Sequence, residues 1–185
     1  YFDTGDDCIA IKSGRNADGR RVNMPIENII VTGCNMKDGH GGVVIGSEMS
    51  GDVRNVFIED CVMDSPNLDR ALRIKTNSLR GGVVENVFMR NVTVGEVSDA
   101  VVRINFYYGE GDVGTFTPVV RNIFLEKVTS SKSKYALALD GYERSPIANL
   151  NLSECTFDGV KDGNMLAHYT NLNVKNVFIN GQKQN

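Results

Sequence analysis

Two carboxylates stand side by side, Asp6 and Asp7, in the opening segment YFDTGDDCIAIKSG, ahead of a run of Ile and Ala with the cation Lys12 at its far end. Adjacent like charges repel, so a folded chain keeps such a pair where a counterion, a shared proton or a chemical task holds it. One carboxyl kept protonated beside another kept ionised supplies an acid and a base in one place. Farther along stand His40 in DGHGG, Arg73 and Lys75 in RIKT, and Tyr108. These are groups that move protons or grip anions, provided the fold brings them together.

The elements that must do so are visible as repeats. The segments ENIIVTGC, RNVFIEDC, ENVFMRNV, RNIFLEKV, ANLNLSEC and KNVFINGQ align on Asn28, Asn55, Asn86, Asn122, Asn149 and Asn176, at intervals of 27, 31, 36, 27 and 27 residues. The first and third residues after each Asn are aliphatic or Met, a period of two that turns one strand face inward. A second series, CIAIKS, GVVIGS, ALRIKT, VVRINF and YALALD, aligns on Ile11, Ile45, Ile74, Ile104 and Leu139. Neither series has a helical period. Short strands recurring about every thirty residues predict an all-β chain, a right-handed single-stranded parallel β-helix in which each coil stacks on the last. A propeller blade needs a longer, four-strand repeat, and a leucine-rich repeat needs its own leucine run.

If the aligned aliphatics of the second series point inward, their neighbours point outward. Those neighbours are Ala10 and Lys12, Val44 and Gly46, Arg73 and Lys75, Arg103 and Asn105. Asp6, Asp7 and His40 lie just before these strands and Tyr108 just after the fourth. Parallel strands stack about 4.8 Å apart, so Asp6, His40, Arg73 and Tyr108 fall within about 15 Å along the axis. Strand alternation alone turns Asp7 inward, and Gly5 predicts a turn that brings both carboxylates into the groove. Arg15, Arg20, Arg21 and Arg103 extend the cationic field, or the RNADGRR stretch is a solvated turn.

Other residues receive structural readings. Cys34, Cys61 and Cys155 fall where other coils carry Val92 and Val128, so they read as core fillers. The six Asn are expected to stack side chain on side chain up the coils. Phe57, Phe88, Phe124 and Phe178 share an outward register and read as a second packed layer under a loop or outer helix. His168 falls in the slot of Ile104 and Leu139 and reads as structural.

Composition bounds the rest. A 41% hydrophobic, 23% charged chain of 185 residues describes one globular domain, residues 1–185. No apolar run approaches the about 18 residues of a membrane span. A net charge of −3 excludes a broadly basic nucleic-acid binder. The four Cys show no C-x-x-C pairing and no clustered His, so no zinc site is expected.

Three stretches in order and one coil apart, TGDDCIAIKSG, DGHGGVVIGSE and RIKT, followed by a Tyr on the next coil, resemble the motif series of the polygalacturonases, a pectin-degrading family of glycoside hydrolases. The resemblance runs from Tyr1 to about Gly181. The stretches KSGRNADGRR, IGSEMSG and LRIKTNSLRGG are most similar to bacterial exo-acting members. It implies inverting hydrolysis of α-1,4-galacturonosyl bonds with no metal and no cofactor. Asp6 then matches the general acid, Asp7 a carboxylate that activates water, and His40 the residue supporting the acid's protonation state. Arg73 and Lys75 match the pair that holds a galacturonate carboxylate, Tyr108 a substrate contact, and Lys12 joins the substrate-binding set. The family carries a further Asp in an N-T-D motif one coil earlier, so upstream coils and a cap are expected to be absent from this chain. The implied partner is a pectic polysaccharide or oligogalacturonide, with no nucleic acid and no membrane, and the implied location is secreted or periplasmic. Two alternatives stay open: a calcium-dependent pectate lyase on the same architecture, and a non-catalytic glycan-binding solenoid.

Overall fold

The computed structural model describes residues 1–185. The chain is a right-handed parallel β-helix in which successive coils feed two sheets. The first sheet has six rungs in chain order: Asp7–Ile11, Gly41–Gly46, Arg70–Lys75, Ala100–Asn105, Tyr135–Asp140 and Met165–Ala167. Every neighbouring pair is parallel. The second sheet stacks Ile26–Thr32, Val53–Glu59, Val83–Glu96, Val119–Lys132, Ile147–Ser153 and Tyr169–Lys175, again in parallel.

The register follows from the period of two. Ile11, Ile45, Ile74, Ile104 and Leu139 pair in one line, each buried, facing Val56, Ile58, Val87, Met89, Ile123 and Leu125 from the other sheet. A slip of one residue would turn these aliphatics to solvent, so the core itself fixes which side chains face out. They belong to one continuous hydrophobic core of 41 residues.

The Asn ladder forms. Asn55 donates to Asn28 at 3.1 Å, Asn86 to Asn55 at 3.0 Å, Asn122 to Asn86 at 3.2 Å and Asn149 to Asn122 at 3.0 Å. Each of these Asn has φ between 56° and 60°, the left-handed conformation that Asn tolerates better than other side chains with a Cβ. The sixth rung is Asn171 rather than the expected Asn176: Asn171 donates to Asn149 at 2.9 Å, and Asn176 donates to Glu154. The last coil is shorter than the repeat, and the KNVFINGQ segment pairs with Thr156 and Phe157 instead. The same shortening displaces His168. Leu166 takes the slot beside Leu139, and His168 is exposed at a left-handed turn, φ 50°.

Phe57, Phe88 and Phe124 stack face to face, centroids 5.0 and 4.8 Å apart. Phe178 is not in that column, because its segment belongs to another register. The rings are half-buried and shield one another. Charged ladders flank them: Arg121 reaches Glu85 at 2.7 Å, and Arg90 pairs with Glu59. The chain's one helix, Asn16–Val22, covers a different region, since Arg20 reaches Leu79, Arg80 and Phe116. The RNADGRR stretch, open between a cationic extension of the groove and a solvated turn, forms this helix. All four cysteines are free; Cys61 and Cys155 fill the core as expected, together with Cys8, whereas Cys34 is only half-buried against it.

Candidate active site

Between the first rungs lies a cleft of about 510 Å³, its lining almost wholly polar. Asp6, Asp7, Lys12, His40, Arg73, Lys75 and Tyr108 all line it, so residues about a hundred positions apart share one surface. Two glycines permit the close approaches. Gly39, φ +152°, sits so near Asp6 that a Cβ would lie 2.5 Å from the Asp6 carbonyl oxygen. The next residue, His40, then donates its backbone N–H to that carbonyl at 2.9 Å. Gly46, φ +93°, would place a Cβ 2.1 Å from the Lys75 carbonyl. Any side chain there would push apart the second and third rungs, the latter carrying Lys75.

The carboxylates occupy different environments. Asp6 is 79% exposed, and its Oδ1 shares a 2.9 Å hydrogen bond with Nδ1 of His40. That bond lowers the Asp6 pKa from the ordinary 3.8 against a smaller opposing effect of desolvation. The hydrogen bond to His40 thus favours the ionised form of Asp6. The repulsion anticipated between the two neighbours does not set its state, because the charge of Asp7 is paired with Lys75. Asp7 is buried at the start of its strand, where Lys75, 68 residues later, donates to Oδ2 at 2.8 Å. The other oxygen, Oδ1, has no hydrogen-bond partner.

The cations divide just as sharply. Lys75 is committed to Asp7, and Lys12 meets Glu48 at 2.5 Å. Arg73 has no carboxylate partner, and its Nε is buried without an acceptor. Burial lowers its pKa first, and repulsion from Arg70 second. Its guanidinium carbon lies 5.4 Å from the centroid of the Tyr108 ring, and Lys75 Nζ lies 5.3 Å from the same ring. Cation–π attraction of this kind orients the groups without consuming their donors. Ala10 and Val44, in line with Arg73 on the two preceding rungs, are small enough to leave a floor beneath it.

Sequence reasoning overlooked a supporting network. Arg70 donates to Asp99 at 2.7 Å and to Asp69 at 2.9 Å, and Arg103 donates to Asp99 at 2.6 and 3.1 Å. Arg103 is thus tied down outside the cleft rather than extending its field. Arg21 pairs with Asp18 on the exposed face of the helix. Asp69 and Asp99 precede the third and fourth rungs, as Asp6 and His40 precede the first and second. Continuing that comparison coil by coil was the signal that could have found them. Glu48, Arg15 and Arg80 also line the cleft.

The loop of residues 107–118 reaches the cleft through Tyr108 and is tied to the coil before it. Asn77 donates to the Tyr108 carbonyl at 2.8 Å, Gly114 N–H to Ser78 Oγ at 2.7 Å, and Arg20 lies 3.4 Å over the Phe116 ring. The buried Tyr142 hydroxyl donates to the Phe106 carbonyl at 2.6 Å, anchoring the start of the loop.

Comparison with known proteins agrees with this architecture. An exopolygalacturonase from Thermotoga maritima superposes with a TM-score of 0.92 at 42% identity, over 98% of this chain and 40% of that one. A probable polygalacturonase of Vitis vinifera is 29% identical over 160 residues, 84% of this chain and 32% of that protein. Endopolygalacturonase A of Aspergillus niger is 33% identical over 141 residues, 72% of this chain and 34% of that protein. The chain spans about a third of the length of these curated relatives. The family model for glycosyl hydrolases family 28 matches residues 1–180, the full run of coils that carries the cleft, and the chain belongs to that family.

Proposed function

We propose that the protein is a polygalacturonase, an inverting glycoside hydrolase that cleaves α-1,4-galacturonosyl bonds of pectic polysaccharide and acts from a chain end. The observation that carries this reading is the division of labour in the cleft. One exposed carboxylate is coupled to an imidazole, one buried carboxylate has a free oxygen, and one guanidinium stands without an anion.

In the mechanism, Arg73 grips a galacturonate carboxylate with its planar fork, and Tyr108 supports the sugar beside it. The bound anion adds negative charge near Asp6, which disfavours the ionised carboxylate. The Asp6–His40 pair then takes up a proton and delivers it to the glycosidic oxygen. Lys75 fixes Asp7 through Oδ2, and Oδ1, which has no protein partner, takes the proton that the attacking water loses as its oxygen bonds to the anomeric carbon. Attack on the anomeric carbon opposite the leaving group inverts its configuration, the geometry of two carboxyl groups about 6.5 to 9.5 Å apart in inverting enzymes. Action from a chain end is supported by the likeness to the Thermotoga maritima exopolygalacturonase.

The deciding experiment incubates the protein with polygalacturonate and follows both reducing ends and ultraviolet absorbance. Reducing ends without an unsaturated product, insensitive to a chelator, are expected. An absorbing, chelator-sensitive product would establish the lyase alternative, and binding with no cleavage the glycan-binding one. Galacturonate monomer from the earliest time points is expected for chain-end action, whereas a ladder of oligomers would replace it with internal cleavage.

A further inference from the structure

A second charge cluster, Lys12, Glu48, Arg15 and Arg80, shares the cleft. Lys12 and Glu48 close on each other there, which leaves Arg15 and Arg80. Both arginines point to the carboxylate of Glu110. Arg80 Nη2 lies 3.3 and 3.4 Å from its two oxygens, and Arg15 Nη2 lies 3.9 Å from Oε1. These contacts are long beside the 2.7 Å bond of Arg70 to Asp99. The one close partner of Glu110 is Asn77, which donates to Oε2 at 2.8 Å.

Arg80 is also under-used. Its side chain is 4% exposed, Nη1 donates to Asn16 at 2.9 Å, and Nε has no acceptor. A buried guanidinium with an open donor is an unfavourable arrangement unless something fills it. Glu110 itself is 39% exposed and stands on the loop, where a carboxylate can swing aside with little disturbance of the core. Two cations loosely holding an exposed carboxylate form a place that a better-fitting carboxylate can take over.

We propose that Arg15 and Arg80 form a second carboxylate-binding position in the cleft, for a sugar unit other than the one held by Arg73, and that Glu110 occupies it until a galacturonate unit displaces it. The inference rests on the pectin-hydrolase reading and adds which residues recognise the second unit. A methyl-esterified unit carries no charge with which to displace Glu110. The position therefore discriminates free from esterified galacturonate by charge, a form of specificity built on an internal competitor.

The test is calorimetric binding of trigalacturonate and of its methyl ester to the Asp6→Asn protein, which holds substrate without turning it over. Arg15 is 62% exposed, so Arg15→Ala leaves the fold intact. It is expected to weaken trigalacturonate about tenfold, the scale of one partly exposed charge-assisted hydrogen bond, and to leave the ester unchanged. Glu110→Gln removes the competitor's charge and is expected to tighten trigalacturonate about threefold. Unaltered trigalacturonate affinity in both variants would overturn the proposal, as would weaker binding in Glu110→Gln, the result of a loop tie and nothing more. Failure of any galacturonate oligomer to bind the Asp6→Asn protein would sink the hydrolase reading as well.

Discussion

Lys75 Nζ lies 2.8 Å from Asp7 Oδ2, joining the first and third rungs across 68 residues of chain with both side chains less than a tenth exposed. This pair changes the meaning of the RIKT segment, because only its arginine is left to meet a substrate anion. Removing one partner of a buried pair strands the other charge and costs about 3–5 kcal/mol. Lys75→Met and Asp7→Asn are each expected to destabilise by that order in urea denaturation. The double variant is expected to recover part of the loss. Additive losses would show that the two groups do not act as a unit.

Asp6 differs from Asp7 in having solvent and His40 as its surroundings. Asp6→Asn keeps the size of the side chain and removes the proton it can transfer. Turnover of polygalacturonate is expected to fall about 100- to 10,000-fold, the range for a lost general acid, while oligogalacturonate affinity changes less than about threefold. Undiminished turnover would remove Asp6 from the mechanism.

The resting state of that acid gives a separate prediction. The His40 hydrogen bond lowers the Asp6 pKa below 3.8, so at pH 5 the carboxylate is ionised before substrate arrives. A bound polyanion raises that pKa again, and binding should take up protons. Calorimetry of the wild type with a slowly cleaved oligogalacturonide, in buffers of differing ionisation enthalpy, is expected to show this uptake and tighter binding as pH falls from 6 towards 4. The same titration of Asp6→Asn is expected to show less. Proton release on binding would contradict the scheme.

The coil architecture and most of the cleft were legible because both depend on local periodicity. Ile11, Ile45, Ile74 and Ile104 mark the inward face, and the outward neighbours Arg73 and Lys75 follow from alternation alone. Pairing partners were not legible in this way. Nothing in the spacing shows that Lys75 turns to Asp7 or that Arg103 turns to Asp99, since those choices depend on side-chain reach between coils. The last coil misled the reading because KNVFINGQ copies the repeat's composition while the chain has already closed its turn at Asn171. The short helix at Asn16–Val22 escaped because its RNADGRR composition carries no apolar stripe. Its packing through Arg20 on Phe116 is a tertiary contact with residues a hundred positions away.

Asp99 ties acid stability to the network behind Arg73. Burial raises its pKa, and the two arginines, Arg103 and Arg70, more than offset that effect, so the net result is a value below 3.8. A carboxylate with a depressed folded-state pKa stabilises the fold above its unfolded value, and the contribution disappears as pH falls through the folded one. Melting temperature is therefore expected to drop more steeply between pH 5 and pH 2 in the wild type than in Asp99→Asn. At pH 7 the variant is expected to be less stable by about 2–4 kcal/mol, because Arg70 and Arg103 lose their shared anion. Parallel melting curves at all pH values would dissociate Asp99 from the acid transition.

Asn86 sits inside the amide ladder, donating to Asn55 at 3.0 Å and accepting from Asn122 at 3.2 Å, with φ at 59°. Its role combines two separable effects, a side-chain hydrogen-bond chain and a left-handed backbone. Asn86→Ala loses both hydrogen bonds, about 0.5–1.5 kcal/mol each, and forces a Cβ-bearing residue without a compensating polar group into the left-handed region at about 1 kcal/mol more. Asn86→Gly loses the same hydrogen bonds but adopts positive φ without strain. Alanine is therefore expected to be the more damaging of the two, a reversal of their usual order within a strand, where glycine is the weaker residue. Denaturant midpoints of the two variants measure the difference directly. A glycine variant less stable than the alanine variant would mean that the backbone conformation at this rung is not under strain, and that the ladder stabilises the coil through its side chains alone.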